Sequence, residues 1–125
     1  MEPRKLMTPL ALLIGLTSSF DNAEATESPP SLKCETGPVT RDFGGTQWLV
    51  YSCEDHRSLV FVSQAGNPAS PFYFILYPKD GRYQLYGEGN GNKSASDAAG
   101  DQISRVSQQE VAALIDATKA VPPTK

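Results

Sequence analysis

The stretch Cys53 to Ser58, "CEDHRS", gathers the only histidine, two acids, an arginine and one of the two cysteines between two apolar runs. An imidazole titrates near neutrality and is the usual proton shuttle. His56 beside Glu54 and Asp55 could therefore serve as an acid–base group. Such chemistry also requires a nucleophile and an orienting partner within reach, and no pattern in the chain nominates either. The simpler reading is a four-residue polar loop, Glu54 to Arg57, joining two strands, because Asp, His and Arg prefer water to a small core. On that reading Asp55, His56 and Arg57 are contact residues for a partner and no catalytic residue is assigned. The alternative is a small secreted hydrolase with His56 as general base.

Two further stretches mimic ligand motifs. "GEGNGNKS", Gly87 to Ser94, differs from the phosphate-cradling G-x-x-x-x-G-K-S pattern only by Asn92 in place of glycine. That glycine lets the backbone wrap phosphate, and an antiparallel meander is the wrong scaffold for it. Glu88, Asn90, Asn92 and Ser94 alternate as oxygen carriers, yet they offer fewer carboxylates than calcium normally takes. Two cysteines and one histidine do not fill a tetrahedral metal site either. No cofactor and no metal are expected.

Cys34 and Cys53 are better read as a disulfide, the use an oxidising compartment makes of an even cysteine count. Closing a loop of about 20 residues would stabilise the fold by roughly 3 kcal/mol on the chain-entropy view. The compartment follows from the first residues. Arg4 and Lys5 precede the apolar run Leu6 to Leu16, and Ala23-Glu24-Ala25 offers a small-x-small cleavage site, the layout of a secretory signal over residues 1–25. The run is shorter than the roughly 20 residues of a membrane span, so no membrane span is expected. Without that segment the chain keeps nine basic and eleven acidic side chains, a net charge of −2. This leaves no basic footprint for nucleic acid. A periplasmic or extracellular protein is expected.

The elements that must position these residues are mostly strands. Val39–Phe43, Thr46–Cys53, Ser58–Ser63, Pro71–Tyr77 and Arg82–Tyr86 are rich in β-branched, aromatic and aliphatic residues, with turn chemistry between them. Short links force antiparallel neighbours. A two-residue turn at Gly44-Gly45 sets Cys53 opposite Thr36 and diagonal to Cys34, so a bridge there needs a bend or bulge. Beyond Tyr86, a loop leads to Ala95, Ala98, Ala99, Ile103 and Val106 at near-helical spacing behind Ser94 as cap. Ser107 and Glu110 then form a capping box for a second helix, which Pro122 and Pro123 stop. Residues 26–33 read as a tether, 34–120 as one α+β domain and 121–125 as a tail. The expected architecture is an antiparallel meander of about five strands with one or two C-terminal helices packed on one face.

Alternation in "FYFILY" sends Phe72, Phe74 and Leu76 to one side and Tyr73, Ile75 and Tyr77 to the other. One side must meet the helices. The other would present Tyr73 and Tyr77, joined by Tyr51 or Tyr83, as a surface for a protein or glycan partner in the envelope.

The run "VYSCEDHRSLVFV" resembles the opening hairpin of the small exported inhibitors of C-type lysozymes, which carry a Tyr-x-Cys-x-Asp-Gly-type pattern. Tyr51, Cys53 and Asp55 match it, and His56 stands where the family has glycine. Ser94-Ala95-Ser96 is similar to the family's inhibitory Ser-Ala-Ser-Gly-type loop, from which Asp97 departs. The resemblance implies an inhibitor or immunity-type role for an envelope hydrolase, with Lys93, Ser94 and Ser96 as contacts. The function expected is thus a small exported non-catalytic binding module.

Overall fold

The computed structural model describes residues 28–122. The expected leader and the last three residues of the expected tail lie outside them. Strands β1 (Thr36–Phe43), β2 (Thr46–Ser52), β3 (Leu59–Ser63), β4 (Phe72–Lys79) and β5 (Arg82–Gly89) precede helices α1 (Lys93–Ile103) and α2 (Gln108–Lys119). The strands form one sheet in chain order, each antiparallel to the next. The fold is the α+β meander that the spacing of apolar runs predicts.

Two links are the primed two-residue turns that match strand twist. Gly44 and Gly45 have φ of 63° and 83°, and Asp80 and Gly81 have 53° and 80°. Gly44 also lies against α1: a Cβ on it would stand 2.5 Å from the Ala99 nitrogen, and its N–H donates to Gln102 Oε1 at 2.7 Å. Only glycine suits that contact. The longer link, 64–71, is organised by Asn67, whose Nδ2 donates to the Gln47 carbonyl at 2.7 Å while its Oδ1 accepts from the Ala69 N–H at 2.8 Å.

Pairing of β1 with β2 sets Phe43 opposite Thr46 and Val39 opposite Val50, then shifts by one residue so that Thr36 meets Ser52. The shift falls at the cis Gly37–Pro38 peptide. It supplies the bulge that the cysteine geometry requires, and Cys34 and Cys53 are joined with an S–S distance of 2.03 Å.

The core lies between one sheet face and the helices. Trp48, Val50, Leu59, Phe61, Phe74 and Leu76 from the sheet meet Ala99, Ile103, Val111, Leu114 and Ile115. The buried Trp48 indole N–H is satisfied by Thr46 Oγ1 at 3.0 Å and the Phe43 carbonyl at 3.3 Å. Thr118, fully buried on α2, donates to the Ile115 carbonyl and shares a 2.7 Å hydrogen bond with Ser52 Oγ. The Ser107–Glu110 capping box starts α2 as its sequence predicts. For α1 the expected cap is corrected: Asn92, not Ser94, accepts from the Ala95 N–H, so the helix starts at Lys93. β5 also runs three residues past Tyr86, because Gly87, Glu88 and Gly89 keep pairing with β4. The expected loop there shrinks accordingly.

Candidate functional site

The hairpin loop after β2 is built by Asp55. Its Oδ1 accepts from the N–H groups of Arg57 and Ser58 at 3.0 and 2.9 Å, and its Oδ2 from the Ser58 hydroxyl at 2.7 Å. Burial by itself pushes the Asp55 carboxyl up. The Ser58 hydroxyl, the two backbone donors and the Arg57 charge outweigh it and hold the group below the ordinary carboxylate value. His56 sits exposed at the turn with φ of 57°, and Arg57 is exposed beside it, its carbonyl accepting from Tyr83 Oη at 3.2 Å. Among the described residues, no hydrogen bond or ion pair to the His56 ring orients it as a base. The acid next to it is occupied as a structural acceptor instead.

The face of the sheet opposite the helices carries the denser set of recognition groups. Register places Tyr73 between Val62 and Glu88, and Ile75 between Val60 and Tyr86. Tyr51 and Leu49 extend the same face on β2, opposite Val60 and Val62. Tyr73 and Tyr86 are half-buried, with ring centroids 6.3 Å apart. Tyr86 Oη donates to Glu88 Oε1 at 2.9 Å. Desolvation first, then the Glu88 charge and hydrogen bond, raise the Tyr73 phenol above its usual value. The Glu88 hydrogen bond does most to raise Tyr86. Both phenols therefore stay protonated around one carboxylate.

Beside this cluster lies an open cleft of about 520 Å³ lined by Val62, Ser63, Ser70, Tyr73, Glu88 and Asn90. Its size falls in the range of small-ligand sites. A second cleft of about 450 Å³ adjoins it at Gly89 and Asn90 and reaches Lys93 and Asp97 at the start of α1. The combination is an apolar wall, two phenol donors, a carboxylate and an amide, all on one corner of the sheet.

The structure distributes the residues singled out by sequence unevenly. Tyr73 belongs to the cluster. Tyr77 stands on the same face but is only 6% exposed. Tyr83 falls on the other side, half-buried against the helix-facing core. Lys93, Ser94 and Ser96 occupy the first turn of α1 rather than a loop. Lys93 pairs with Asp97 at 3.2 Å, the Ser94 hydroxyl bonds Asn92 Oδ1 at 2.8 Å, and Ser96 is 5% exposed with its hydroxyl on the Lys93 carbonyl. Asp55, His56 and Arg57 lie apart, in the β2–β3 loop. Cys34 and Cys53 form the staple. Sequence reasoning placed neither Tyr86 nor Glu88 in a site: Tyr86 alternates with Gln84 along β5, but the expected strand stopped there, short of Glu88.

Fold and site together define a disulfide-stapled α+β meander with a tyrosine–carboxylate patch on the sheet face opposite the helices. Compared with known proteins, the chain matches no family model, no curated protein and no solved structure. No helix among the described residues is long and apolar enough to cross a membrane.

Proposed function

We propose that this is a small exported, non-catalytic binding module of the bacterial envelope, holding a glycan or protein partner at the Tyr73–Tyr86–Glu88 patch. The observation that carries the reading is the convergence of two protonated phenols and one carboxylate beside the 520 Å³ cleft. Aromatic rings with a polar tip suit surfaces that are apolar at one end and wet at the other, as sugar rings and interface hot spots are. The disulfide supports a location outside the cytoplasm. An inhibitor or immunity-type role toward an envelope hydrolase fits the same description, with the peptide or glycan-binding surface of that enzyme as the target.

The test is calorimetric titration of the purified protein with peptidoglycan fragments and, separately, with a C-type lysozyme. Tyr73→Ala combined with Tyr86→Ala should weaken any binding or inhibition by at least about tenfold, since buried aromatic anchors commonly contribute 1–2 kcal/mol or more. Binding that is indifferent to both substitutions would refute the patch as the site. Turnover of a fragment that disappears in His56→Ala would overturn the non-catalytic assignment.

A further inference from the structure

Among the described residues, β5 has a sheet neighbour on one side only. The Asn90 N–H donates to the Pro71 carbonyl at 3.0 Å, continuing the register that pairs Tyr73 with Glu88 and Ile75 with Tyr86. Bonded and unbonded pairs alternate along an antiparallel ladder. The backbone groups of Glu88, Tyr86, Gln84 and Arg82 are therefore spent on β4, and those of Gly89, Gly87, Leu85 and Tyr83 point away from the sheet. Such a row is a template for another strand unless something blunts it. The opposite edge is blunted: β1 contains Pro38 and the register shift between Thr36 and Val39. β5 has neither, and its end at Gly87 and Gly89 adds no bulk.

The order of side chains makes this edge complementary to itself. When two copies of β5 run antiparallel about a two-fold axis at Leu85, Arg82 lies opposite Glu88 of the second copy and Gln84 lies opposite Tyr86. The bonded pairs then fall at Leu85 with its own copy and at Tyr83 with Gly87, the residues whose backbone groups face outward. Moving the axis to Gln84 sets Glu88 opposite Asp80, and moving it to Tyr86 sets Arg82 opposite Asn90. Both shifts lose the two symmetric ion pairs, and the first adds a like-charge repulsion.

We infer that the protein forms a homodimer by antiparallel β5–β5 pairing centred on Leu85, with Arg82 of each copy paired to Glu88 of the other. The sheet runs continuously through both copies. Arg82 of the second copy then stands next to the Tyr73–Glu88 cleft and adds a cation to its rim. Arg82 and Glu88 are both exposed, so reversing their charges leaves the core untouched.

The experiment is sedimentation equilibrium at low salt on the protein purified after expression of the full chain, without any ligand. The wild type should sediment as a dimer. Arg82→Glu and Glu88→Arg should each weaken association at least about tenfold, since like charges set against each other cost several kcal/mol across an interface. The double variant should recover the wild-type constant, because the swap restores both pairs. A monomer up to about 1 mM, an affinity of about −4 kcal/mol, would overturn the inference. So would a dimer that ignores both reversals, or one that the double swap fails to restore. Tyr73→Ala, which disturbs the binding patch without touching the edge, should leave the dimer intact and so separates the two readings.

Discussion

The Asp55 carboxylate accepts three hydrogen bonds from residues two and three positions ahead of it, and the loop has no second acceptor doing the same work. Asp55→Ala strands the Arg57 and Ser58 donors and should cost about 1–2 kcal/mol in urea unfolding. The same group makes stability depend on pH. Its folded pKa lies below its unfolded value, so its contribution is complete above the unfolded value of about 3.9 and is lost as pH falls through the folded one. Melting followed from pH 6 to pH 2 should show this loss in the wild type, with a shallower decline in Asp55→Asn. His56 tells a complementary story. Its φ of 57° is the left-handed region that costs a residue bearing a Cβ roughly 1 kcal/mol. His56→Gly should therefore raise stability by up to about 1 kcal/mol, measurable in the same urea experiment.

Element boundaries were set by groups that a pattern of apolar residues does not weigh. The spacing of Ala95, Ala99 and Ile103 announces α1, but the Ser94 expected as its cap lies inside the first turn, and Asn92 instead accepts from the Ala95 N–H. Asn92→Ala should lower the melting free energy by about 1 kcal/mol and Ser94→Ala by much less, as thermal unfolding followed by circular dichroism can tell. α2 was readable outright because its capping box and its apolar face at Val111, Leu114 and Ile115 agree with each other. The extension of β5 was not readable. Gly87 and Gly89 argue for a bend when read alone, and they stay in the strand because β4 offers them partners from Phe72 to Phe74. That extension brings Glu88 alongside Tyr73, so the candidate site depends on the three residues where local propensity and pairing disagree.

At the scale of the whole molecule, a core shared between five strands and two helices is braced by one covalent link at the start of β1. Replacing both Cys34 and Cys53 with serine should cost about 3 kcal/mol, seen as a lower urea midpoint that reductant no longer shifts. Ile103→Ala, at a site with no exposure, should cost about 2–5 kcal/mol in the same assay. The chain by itself determined the strand count, the antiparallel order, the paired cysteines and the face that each residue of "FYFILY" takes, because these follow from two-residue periodicity and turn chemistry within short windows. It did not determine that Tyr77 would be buried, or that β5 would run on past Tyr86 and bring Glu88 beside Tyr73. Those outcomes belong to register and strand order. They are set by hydrogen bonds and packing between segments far apart in the chain, and no local pattern encodes which neighbour a side chain will finally meet.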